Sequence, residues 1–195
     1  MKRFFIFLFC TSLFFYSEAQ VASSREQIAI AVKAAPPEKQ AAAKVYGYNQ
    51  QGEMVLMRAG SNEMICVADD PAKEGFQVVC YHRDLEPFMN RGNELRKEGK
   101  RPDEIFAIRE KEAKAGTLKM PANPTTLHVL YGGNDVKYNT ETDEVENARL
   151  RYVVYIPFAT AESTGLPIRP LVPGGPWIMD PGTHRAHIMI SPDYN

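Results

Sequence analysis

Two cysteines placed symmetrically about a turn constrain this chain more than any other feature. Cys66 lies in the β-rich run 64–68 and Cys80 in the β-rich run 76–80, and the two are equidistant from Lys73. Between the runs stand Asp69, Asp70, Pro71 and Gly75, residues that favour a turn. A hairpin centred there sets Cys66 opposite Cys80. A directly opposed, non-hydrogen-bonded pair brings two Cβ atoms close enough for a disulfide, which tolerates little other geometry. A bridge closing a loop of this size is expected to stabilise the fold by roughly 3 kcal/mol.

The amino terminus says where such a bridge could form. Lys2 and Arg3 precede an apolar run, 4–15, and Ser17 and Ala19 put small residues where a signal peptidase reads. Residues 1–19 are therefore expected to be a signal peptide, and the mature chain to begin at Gln20 in the periplasm or the medium. The apolar run is too short to span a bilayer, so no transmembrane segment is expected in the mature chain. Cys10 follows Phe9, where a lipoprotein needs a small residue, and it is expected to leave with the leader. Two of the three cysteines then remain, an even count in an oxidising compartment. The formal net charge of −1 provides no concentrated basic face, which argues against nucleic acid as a partner.

Residues 20–43 read as a helical lead-in. Ser23 and Ser24 each have Glu or Gln three residues on, a capping-box start for a helix through Ile28, Ala31, Val32 and Ala35, which Pro36 and Pro37 end. Residues 44–195 read as one α+β domain. Strands at 45–48 and 53–58 flank a turn at 49–52, and with the two cysteine strands they are expected to form a four-stranded antiparallel meander up to His82. Leu85, Phe88, Met89 and Leu95 recur at helical spacing up to a C-capping Gly99. Pro102, Asp103 and Glu104 open a second helix through Ile105, Phe106, Ile108 and Ala113 to Gly116. Strands follow at 125–131 and 149–158, the latter with Leu150, Tyr152, Val154, Ile156 and Phe158 on one face. A closing hairpin is expected from Trp177 through a type II turn at Asp180, Pro181, Gly182 and Thr183 into a strand starting at His184. The expectation is a single two-layer domain: a largely antiparallel sheet of six to eight strands with an αα-hairpin on one face.

The chemistry is sparse. No nucleophile elbow and no phosphate-cradling glycine loop is present, and the acids at 141–144 lack EF-hand spacing. The histidines His82, His184 and His187 are the only metal-like set, but residues three apart on a strand point to opposite faces. With Ala186 opposite Trp177, His184 and His187 would be separated in that way. Stretch 159–176 contains Pro167, Pro170, Pro173 and Pro176 and is expected to be a stiff wall. The leading expectation is thus a non-enzymatic exported domain that binds a small molecule or an envelope protein beside that loop, with His82, Glu162, Ser163, Thr164 and Trp177 as candidate ligand contacts. No cofactor is expected on this reading. One alternative is a metal-dependent hydrolase with zinc on His82, His184 and His187; another is a structural or assembly protein, which predicts an exposed apolar patch in place of a pocket.

Overall fold

The computed structural model describes residues 21–192, so the leader expected at 1–19 lies outside the described residues. Ten strands and five α-helices are present among them. The elements are α1 (Ser24–Ala31), α2 (Pro37–Gln40), β1 (Lys44–Tyr48), β2 (Met54–Arg58), β3 (Met64–Val67), β4 (Phe76–His82), α3 (Glu86–Lys97) and α4 (Pro102–Lys114). They continue with β5 (Thr125–Gly132), β6 (Lys137–Asn139), β7 (Glu144–Glu146), β8 (Arg149–Tyr155), α5 (Ala161–Thr164), β9 (Trp177–Met179) and β10 (His187–Ile190). Eight strands form one sheet in the order β2-β1-β3-β4-β5-β8-β10-β9, and β6 pairs only with β7. The fold is a mixed α+β domain whose α3–α4 hairpin packs on one face of the sheet.

Cys66 and Cys80 are cross-strand partners in the β3–β4 ladder and are joined in a disulfide, with their Cα atoms 4.1 Å apart. Alternation divides the core around this pair. Cys66, Cys80, Val78 and Met64 face one side; Ile65, Tyr81, Leu127, Val129 and Val153 face the other, where Leu85 and Phe88 cover them. The lead-in covers the first side, with Ala31, Val32, Ala34 and Ala35 buried against the disulfide strands. Ser23 caps α1 by accepting from Glu26 N. Gln27 then fastens the helix: its side-chain Nε2 donates to Tyr48 O at 2.9 Å while its Oε1 accepts from Tyr48 N at 2.8 Å. The carboxamide thereby pairs with β1 as a neighbouring peptide unit would. Gly47 permits the approach, since a Cβ there would collide with Met57 Sδ and Gln27 Oε1.

Three expectations need correction. The first four strands are not a meander: β1 lies between β2 and β3 and runs parallel to β3. The segment leaving β2 crosses the start of β1, where Ser61 N and Asn62 N both donate to Ala42 O. Gly60 makes the crossing possible because any Cβ would strike the Lys44 backbone. Second, β8 ends at Tyr155, short of the expected 158, and its buried residues are Val153 and Tyr155. The αα-hairpin is the deeper cover, and Tyr152 on the opposite face is 36% exposed. Third, the closing hairpin is shifted in register. Trp177 pairs with Met189, and β10 begins at His187. The expected Asp180 turn forms, with Gly182 at φ 77°, but a second turn follows it at Thr183, closed by Ala186 N donating to Thr183 O. The reason is His184, which is drawn out of the strand to a helix carboxylate.

Candidate functional site

The residues singled out from the sequence do not converge. His82 ends β4 and caps the following 3₁₀ turn, its Nδ1 accepting from Asp84 N at 3.2 Å. His187, on β10, is separated from β4 by β5 and β8, so three strand spacings, roughly 14 Å, lie between their strands. Among the described residues no group of three His, Cys, Asp or Glu side chains is arranged to hold a metal ion. Glu162, Ser163 and Thr164 form the exposed single turn α5. Its hydroxyls are spent locally: Ser163 Oγ accepts from Thr160 N at 2.9 Å, and Thr164 Oγ1 donates to Thr160 O at 2.8 Å. Trp177 is half-buried on β9.

What the structure builds instead is a buried polar lock. Glu110, on α4, takes both the backbone N–H of His184 at 2.8 Å and its ring Nδ1 at 2.6 Å through one carboxylate oxygen. The other oxygen meets Lys114 Nζ at 2.6 Å. Partial burial alone would raise the Glu110 pKa, but Lys114 and the two His184 contacts outweigh it and hold the group at about 2. The His184 ring is fully buried and set edge-on to Phe106 and Phe88, at 5.0 and 5.8 Å between centroids. Burial lowers its pKa, and the carboxylate opposes that only in part, so the imidazole is neutral near pH 7. Phe88 also stacks at a tilt on Tyr155, and Tyr155 on His187, whose Nδ1 contacts Arg185 O at 2.7 Å. Arg109 lies over the Phe88 ring at 4.0 Å and donates to Phe88 O; burial brings its pKa down to about 10. Gly92 opposite leaves room for that guanidinium.

This lock governs the root of the proline loop. The turn carrying His184 is zipped to the chain leaving β8: Ile156 N donates to Ala186 O, Phe158 N to Thr183 O and Gly182 N to Ala159 O. The far end is closed by Ile178 N donating to Pro167 O at 2.9 Å. Residues 168–176 thus leave and return at one point, the arrangement of a compact surface loop. A turn inside it, Gly175 N donating to Val172 O with Gly174 at φ 71°, bends the tip. Residues 168–173 are all exposed, and Ile168, Leu171 and Val172 retain 65%, 77% and 62% of their accessible surface. The proline content of the stretch, at 167, 170, 173 and 176, reads as a stiff segment and was the one sequence signal for this loop. Nothing local in the sequence marked Glu110 or Arg109, since on α4 they read as two more charges on a solvated face.

Two concavities flank the start of α1, and neither is lined by the proline loop. One, of about 560 Å³, is bordered by Ser23, Tyr48, Asn49, Val55 and Met57; the other, of about 300 Å³, by Ile30, Asp69, Lys73 and Phe76. Among the described residues no helix is long and apolar enough to cross a membrane. Compared with protein-family models, with curated proteins and with solved structures, the chain matches none of them.

Proposed function

We propose that this is an exported, non-enzymatic binding domain that docks to an envelope protein through the tip of the proline loop. The observation that carries the reading is the cluster of three exposed aliphatic side chains, Ile168, Leu171 and Val172, on a loop whose root is pinned by backbone bonds. Aliphatic groups exposed together are the mark of an interaction surface, and a pre-ordered loop loses little entropy when it is seated. A protein groove suits this tip better than a lipid surface. The tip carries one cation, Arg169, and no aromatic residue, whereas lipid-seeking segments combine several basic and aromatic side chains. A small-molecule site beside the loop has less support, because neither concavity described above touches it.

The test is a photo-crosslinker placed at Leu171 in the full-length chain, expressed in cells that export it, with the same group at exposed Glu144 as control. A discrete adduct from position 171 that is lost on adding I168S and V172S supports the reading. Identical adducts from both positions, or none from 171, overturn it. Export itself is checked by amino-terminal sequencing of the mature chain, which is expected to begin at Gln20.

A further inference from the structure

The opposite end of the sheet is finished differently. Among the described residues, strand β2 is terminal in the sheet and pairs only with β1. The direction of its free backbone groups follows from the ladder. Asn49 N donates to Glu53 O, which makes that opposed pair a hydrogen-bonded one. Antiparallel pairs alternate, so Tyr48 and Met54 are non-bonded, Gly47 and Val55 bonded, and Tyr46 and Leu56 non-bonded. Met54 and Leu56 therefore direct their N–H and C=O groups away from β1, along the open edge. Strand edges of this kind are usually blunted by proline, charge or a covering segment. Among the described residues none of these pairs with or blunts the outer side of β2. The strand reads Met54, Val55, Leu56, Met57, Arg58, and its single charge is turned back into the fold, Arg58 Nε donating to Ala43 O at 3.0 Å and Nη2 to Gln40 O at 2.6 Å. Leu56 is 55% exposed in the middle of it.

The larger groove runs alongside this edge. It is lined by Val55, Leu56 and Met57, by the Asn49 turn and by the lead-in from Val21 to Ser24, and apart from Tyr48 its lining contains no ionisable side chain. Tyr48 is itself held neutral, burial pushing its phenol up to about 12. A neutral groove beside a row of free amide donors and acceptors matches one chemistry, an extended peptide main chain bearing uncharged side chains. We infer that β2 is a docking edge for an extended, uncharged peptide segment, which adds to the sheet as a further strand and places alternate side chains in the groove. This site is separate from the loop tip and does not depend on it.

The probe is a capped hexapeptide of alternating valine and threonine, titrated into the labelled mature protein and followed by backbone amide shifts. Saturable shifts concentrated at Met54, Leu56 and the Asn49 turn are expected. The same peptide N-methylated at alternate amides is expected to bind at least tenfold more weakly, since it cannot pair along one side. Leu56→Pro removes one outward N–H without touching a β1–β2 bond, and it should weaken the peptide tenfold at an unchanged Tm; L171S should leave binding intact. No saturation by about 1 mM peptide, or equal binding of the N-methylated peptide, overturns the inference. So does sedimentation showing that a second copy of the chain already occupies the edge.

Discussion

The two ends of the sheet are finished in opposite ways. At the β9 end the edge is closed at its centre, where Pro167 O takes the Ile178 N–H. That closure is backed by the lock on α4, since Glu110 holds His184, the His184 turn bonds residues 156–159, and these lead into the loop. At the β2 end the backbone is left open, and only the strand behind it is secured, through the Gln27 carboxamide on Tyr48 and the Arg58 guanidinium on the lead-in. A closed edge supports side chains presented outward; an open edge supports recognition of main chain. The same sheet thus offers two surfaces with different chemistry.

The largest effect on that contrast should come from the closed end. Glu110→Ala leaves the His184 N–H and ring nitrogen buried without partners, and should lower stability by about 3 kcal/mol in urea titrations. Hydrogen exchange should rise first at Ile156, Phe158 and Gly182; exchange rising evenly over the sheet would show that the lock is not local. At the open end, Gln27→Ala leaves Tyr48 N and O unpaired and should lose about 2 kcal/mol, with exchange rising in β1 and β2 while the loop root stays protected. A pH titration probes the buried ionisable groups. Burial holds His128, His184 and His187 below their ordinary pKa, so their neutral forms favour the folded state. Their contribution is complete above about pH 6.5 and declines as pH falls through the lowered values. Glu110, held at about 2, adds stability above its unfolded value near 4.5 that is lost as pH falls toward 2. Urea midpoints taken between pH 7.5 and 3 should show both declines, and E110A should make the lower one shallower, the remainder belonging to Glu63, Asp103, Glu112 and Asp143, which cationic partners also hold below the usual carboxylate range. The smallest effect belongs to the tip, where L171S should change stability by less than about 0.5 kcal/mol, because the side chain is 77% exposed.

How much of this was readable beforehand follows from the range of each interaction. Cys66 opposite Cys80 was legible because a short turn fixes the register of its own two strands. The αα-hairpin was legible because its apolar stripe, Pro102 and Gly99 are all local signals. The order of β1 and β3 was not, because it depends on Gly60 passing over the Lys44 backbone, a contact between residues far apart in sequence. The closing hairpin failed for a similar reason. Its turn chemistry at Asp180 was read correctly, yet the next residues answer to Glu110 on a helix 74 positions away. Gln27 was read as part of a capping motif; its carboxamide bonds to Ala22 O just ahead of the helix and to both backbone groups of Tyr48 on β1, a partner distant in sequence.

The position of the disulfide has a consequence for handling the protein. Both sulfur-bearing residues are fully buried, and Cys80 Sγ lies 3.2 Å from Ala31 O, directly beneath the lead-in helix. A reductant can therefore reach the bond only after that helix has lifted from the sheet. The speed at which a dithiol cleaves it under native conditions is then a stopwatch for the helix's detachment, and one that should run faster once Gln27 no longer holds.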